Sequence, residues 1–229
     1  MTTIAVPAVP VVRRRSRGLL LAGALAGPAF FASASVQMLT REGFDITRHP
    51  ISLLATGSLG WVQVAMFVLT GLGVLALAAG IRRTFTEGPG RRVLPVLVGV
   101  FGLGLVASGL FPMDPEYGFP VGTPDGPVAQ TSWHSVVHSA AAAVAFTAVA
   151  VAAVVLAVRH CRRRTVLPAV LNAAVALVLL LPVSPAHMSI QIAVTGLVAF
   201  TWTTVLALSL RRAAWPGRTL TTHVGSTEG

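Results

Sequence analysis

Lysine is absent from the 229 residues, so all 17 basic residues are arginines, and charged residues of both signs make up only 10% of the chain. A soluble domain carries about 25% charged residues. With a mean hydropathy of +0.78, too little ionic surface is left to keep a globule of this size dissolved. The single cysteine, Cys161, excludes an internal disulfide. No glycine-rich phosphate loop lies between the apolar segments, so an ATP-driven activity has no support. No charged residue falls at the middle of an apolar segment, which argues against an ion-coupled transporter. The formal charge of +10 does not signal nucleic acid either, because the arginines fall in short runs between apolar segments and form no continuous basic surface.

What is present is hydrocarbon: 54% of the residues are apolar. Six apolar stretches cover residues 18–39, 59–81, 93–111, 133–158, 166–183 and 187–210. Each is long enough, at about 1.5 Å per residue, to cross about 30 Å of hydrocarbon as a helix. Helices satisfy their own backbone hydrogen bonds in a medium without water. Transmembrane strands need apolar and polar residues to alternate, and runs such as 140–145 and 175–181 do not. The expected fold is all-α, a six-transmembrane-helix bundle over residues 18–210. A disordered basic tail is expected at 1–17 and a second disordered tail at 211–229.

Fifteen arginines fall before the first stretch, between the second and third, between the fourth and fifth, and after the sixth; only Arg41 and Arg48 fall on the other side. Arginine is costly to translocate, so the rich side is expected in the cytosol with both termini. That places the protein in the inner (plasma) membrane as a multi-pass chain, N-in and C-in. The first stretch also has features of a cleaved export signal, with Ala32-Ser33-Ala34 at the cut, but its apolar run continues through Leu39, longer than a signal core. Gly23-x-x-x-Gly27 fits a close helix contact, read here as packing within one chain.

The other polar residues gather at the opposite, outer end. Two arginines face Glu42, Asp45, Asp114, Glu116 and Asp125 there, a net charge of −3 with histidine neutral. Trp61, Trp133, Tyr117 and Phe119 read as interfacial anchors, and Asn172 and Gln191 as amides bonding between helices. His134-x-x-x-His138 places two imidazoles on one helical face, within reach of one ion. His187 or Asp114 would supply a third ligand, leaving zinc an open position at which a bound water ionises. A structural polar network is the alternative for the same residues. Asp114, between Pro112 and Pro115, is a candidate metal ligand or general acid. Ser52 reads either as a nucleophile with His49 as base or as a helix cap.

Gly27-Pro28, His49-Pro50-Ile51-Ser52-Leu53, Gly60-Trp61-Val62-Gln63, Gly109-Leu110-Phe111-Pro112-Met113-Asp114 and His134-Ser135-Val136-Val137-His138-Ser139 occur together. In combination they resemble the bacterial and archaeal membrane family labelled domain of unknown function 998, across residues 18–210. The resemblance implies six membrane helices and carries no activity. Leu53-Leu54 stands where the family pattern implies an acidic residue after the serine.

Three functions fit the sequence. The first is an outward-facing pocket for a lipid-like or amphipathic molecule, with metal-assisted hydrolysis or group transfer. In it His134, His138 and His187 hold a divalent metal such as zinc, and Asp45, His49 and Asp114 are catalytic. The second is a metal-free isoprenoid cyclase or isomerase with Asp45 or Asp114 as proton donor. The third is a non-enzymatic transporter, pH sensor or assembly partner. Membrane lipid is the expected surrounding, and nucleic acid is not an expected partner.

Overall fold

The structure, a computed structural model, describes residues 11–214; the outer parts of both expected tails lie outside the described residues. Those residues are all-helical apart from loops and short 3-10 turns: α1 Val11–Thr40, α2 Gly60–Thr84, α3 Val93–Leu110, α4 Trp133–Arg162, α5 Val166–Leu180 and α6 Met188–Ala214. No strand occurs among them, only an isolated bridge between Glu116 and Phe119. Five helical stretches, all but α5, are long and apolar enough to cross a membrane.

α5 is shorter than its apolar stretch. It has 15 residues because Pro182 follows, and the residue before a proline is driven out of the helical region. Leu181 accordingly adopts φ −60° and ψ 135°. The amide of Gln191 then ties off the turn, donating to the Pro182 carbonyl and accepting from the Ser184 N–H. Pro95 and Pro168 occupy first turns of α3 and α5, where no intrahelical donor is lost, whereas Pro28 lies inside α1. α1 starts at Val11 and α6 ends at Ala214, so both helices reach several residues beyond the expected 18–210 boundaries.

α1 packs on α2 and α6, α2 on α3, α3 on α4, and α4 on α5, while α5 meets α6 sparsely. Small residues set the spacing. A Cβ on Gly71 would stand 2.7 Å from the Gly102 carbonyl, and one on Gly102 would stand 2.9 Å from the Gly71 carbonyl, so α2 and α3 meet backbone to backbone. The two α1 glycines serve different neighbours: Gly23 lies under Leu77 of α2, and Gly27 under Phe200 of α6. Phe30, Phe67, Phe101 and Phe200 fill the centre, with Phe30 stacked on Phe200 at 5.2 Å and Phe67 edge-on to Phe30 at 5.1 Å. Asn172 and Trp202 join α5 to α6 through a 2.8 Å hydrogen bond.

At the arginine-rich end, Arg159 is buried and works as a strap. Its guanidinium donates to the Glu87 and Pro89 carbonyls at 2.7 and 3.0 Å and lies over the Phe85 ring. One arginine thus fastens the α2–α3 link to the end of α4.

Because α2 and α3 touch through bare backbone, Gly71→Val should force them apart and cost about 1–3 kcal/mol by overpacking. Gly99→Ala, whose new carbon would meet nothing closer than 3.8 Å, should leave stability unchanged or slightly raised. Thermal unfolding of the purified protein in one detergent checks the pair.

Candidate functional site

The end opposite the arginine-rich links is closed by two interlocked loops, residues 41–59 and 111–132. The first is shaped by Asp45. Its carboxylate accepts from the Thr47 N–H and hydroxyl at 2.8 and 2.7 Å, and its carbonyl accepts from the N–H groups of Arg48 and His49. The turn brings the His49 ring back onto the Asp45 N–H, which donates to Nδ1 at 2.9 Å. With Nδ1 as acceptor, Nε2 carries the proton and donates to the Tyr117 carbonyl of the second loop at 2.9 Å. Pro50 then leads into the 3-10 turn Ile51–Ala55.

Arg41 reaches over that turn and donates to the carbonyls of Leu54 and Thr56 at 2.5 and 2.6 Å, with Phe119 beneath its guanidinium. Arg48 bridges to Asp125 at 2.6 Å, although both are largely exposed. The Arg48 carbonyl accepts from Ser189, which draws the start of α6 into the same cap.

The sequence candidates therefore share a level without sharing a pocket. His49 is buried between Phe44 and Phe119 with both nitrogens engaged, which leaves it no lone pair for Ser52. Asp45 is exposed, and the Thr47 hydroxyl and N–H hold its carboxyl below the usual range. It is thus ionised at neutral pH, the opposite of what a proton donor needs. Asp114 accepts from the Ser132 N–H at 2.7 Å, while its own N–H donates to the Ser135 hydroxyl and Ser132 caps α4. Burial pushes the neighbouring Glu116 carboxyl up, against the downward pull of a hydrogen bond from the Val128 backbone.

The expected ligand set of His134, His138 and His187 is not drawn together. His134 is exposed, its ring tilted against that of Trp133 at 3.8 Å between ring centroids. His187 is exposed in the 3-10 turn before α6. His138 lies one turn deeper in α4, buried, with Nδ1 on the carbonyls of Ser108 and Phe111 at the end of α3. Helical spacing aligns the α4 pair along one face, but the boundary of the bundle runs between them. Among the described residues no group of three His, Cys, Asp or Glu side chains is placed to hold a metal ion. Phe119 also departs from expectation. It is 1% exposed and forms the centre of the cap, whereas Trp61 and Trp133 are exposed.

Beneath the cap lies a cavity of about 80 Å³. Its walls come from α1, α2, α3, α4, α6 and the 3-10 turn, and its polar lining is Ser52, Ser108 and His138 among aromatic and aliphatic side chains. The Ser52 hydroxyl donates to Met113 Sδ at 3.0 Å, and the Ser108 hydroxyl is buried without a partner. Ser108 and Met113 were not singled out as candidates by sequence reasoning. The available signal was a lone hydroxyl in the last turn of an otherwise apolar segment, one residue before Gly109.

An all-helical bundle of membrane-type helices capped by interlocked polar loops is the class this architecture defines. The chain belongs to the family described as "Protein of unknown function (DUF998)", which it matches over residues 24–211. Neither a curated protein nor a solved structure matches it significantly.

His49→Ala would strand the Asp45 N–H and the Tyr117 carbonyl, and should cost about 1–3 kcal/mol or more. It should also open residues 41–59 to protease. His134→Ala should change stability by less than about 0.5 kcal/mol. Thermal unfolding and limited proteolysis of the two variants side by side test this division of roles.

Proposed function

We propose that the protein spans the cytoplasmic membrane six times, with both termini in the cytosol, and that its outer-half cavity receives one end of an amphipathic molecule. The observation that carries the binding reading is an apolar cavity, walled by five helices, in which a histidine and two serines are the polar groups. Pockets that take small molecules combine an apolar lining with a few placed polar atoms in this way. A cavity of about 80 Å³ is larger than a single water needs, and it admits a polar end and a few methylenes. The remainder of such a molecule would leave between α4 and α6, whose residues Phe146 and Ile192 line the cavity and stay partly exposed.

The orientation is supported by the arginine count on the two sides of the apolar segments. α5 counts as the sixth crossing because it runs from the Arg162–Arg164 end to the His187 end. Its helical turns span about 22 Å at 1.5 Å per residue, and the extended residues that follow add about 3.3 Å each.

Two experiments test these readings. A membrane-impermeant maleimide should label the native Cys161 only after permeabilisation, and a cysteine replacing exposed Ala129, in a Cys161→Ser background, in intact cells; the reverse pattern rejects the orientation. A photoreactive long-chain amphiphile should label peptides of α4 and α6 beside the cavity. Gly196→Phe, which fills the cavity from α6, should cut that labelling at least about fivefold. Labelling spread evenly over the lipid-facing surface and indifferent to Gly196→Phe would reject the binding site.

A further inference from the structure

The hydrogen-bonding state of the cavity wall narrows what can occupy it. His138 Nδ1 sits 2.9 Å from the Ser108 carbonyl and 3.1 Å from the Phe111 carbonyl. Carbonyl oxygens only accept, so Nδ1 carries the proton. In the neutral ring Nε2 is then a bare lone pair. Nε2 has no partner among the described residues, and His138 is 5% exposed. In the same cavity lining the Ser108 hydroxyl, on a residue 2% exposed, is buried without a partner. Ser52 has already committed its proton to Met113. The lining holds no arginine, aspartate or glutamate.

The unpartnered Ser108 hydroxyl is costly in an apolar interior, and the lone pair of His138 Nε2 has no donor among the described residues. The ligand end must therefore supply a hydrogen to Nε2, accept one from Ser108, and carry no charge. A carboxylate or phosphate could bind only as an ion pair with a protonated His138, or as a neutral acid, and the lining offers no other charged group to stabilise the pair. An ammonium offers hydrogens but leaves its charge unpaired. An ester or ketone satisfies Ser108 and leaves Nε2 bare. A hydroxyl meets both requirements on one atom.

We propose that the cavity selects an uncharged long-chain alcohol, its hydroxyl donating to His138 Nε2 and accepting from Ser108 Oγ. This rests on the reading that the cavity takes one end of an amphiphile.

The test uses the full-length protein in nanodiscs and three photoreactive probes of equal chain length: a primary alcohol, its methyl ether and the matching carboxylate. Each is competed with its unlabelled parent. The alcohol should show an apparent affinity about tenfold above the other two. His138→Asn keeps an N–H near the Nδ1 position, and so the tether to α3, but removes the ring acceptor. It should erase the preference without shifting the melting temperature. Ser108→Ala should reduce the preference about threefold and serves alone if the asparagine variant does not fold.

Equal site-specific labelling by all three probes overturns the alcohol selection while leaving the cavity reading intact; the polar pair then holds a trapped water. A preference for the carboxylate or the ether overturns it as well. Absence of cavity labelling by every probe overturns the binding reading and this inference together.

Discussion

Wherever a loop turning back over the helix ends is buried away from water, its backbone N–H and C=O groups must find partners within the protein. At the end that carries the two long loops, that demand is met by reciprocal fastening. His49 accepts from one loop and donates to the other, and Arg41 gathers two carbonyls over the Phe119 ring. Arg159 repeats the solution at the arginine-rich end on the Glu87 and Pro89 carbonyls. The most polar side chains here mainly hold backbone together. Ile51 and Ser52, in the 3-10 turn over which Arg41 reaches, line the cavity beneath the cap.

Small residues supply the second constraint. Without a hydrophobic drive between helices in lipid, close approach and dispersion decide packing. Gly71 and Gly102 let α2 and α3 meet at backbone distance, while aromatic side chains prop the other helices apart around Phe200. Tight packing on one side and bulky rings at the centre leave an unfilled space beside His138. Its polar rim stands where the end of α3 offers carbonyls to that ring.

Much of this was legible from residues alone. The apolar stretches mark all six helices, Pro182 explains the early end of α5, and Asn172 bonds across to α6 as an amide in hydrocarbon is expected to. The candidate site was legible as a level in the bundle, not as a constellation. His134 and His138 obey one helical spacing, yet one lies on the surface against Trp133 and the other in the interior against α3. His49 and Asp45, read as chemistry, are joined by the tight turn they build. Ser108 escaped notice because a single serine near a helix end carries no pattern.

Chain composition and the positions of arginine, proline and the apolar runs were sufficient for helical class, helix number and the gathering of polar residues at one end, because these follow from transfer free energy along the chain. Which imidazole keeps a free lone pair, and which hydroxyl is left without a partner, was decided only when α3, α4 and the two loops met. Hydrogen-bond satisfaction depends on distances of a few tenths of an ångström between segments far apart in the chain, and no local pattern encodes those distances.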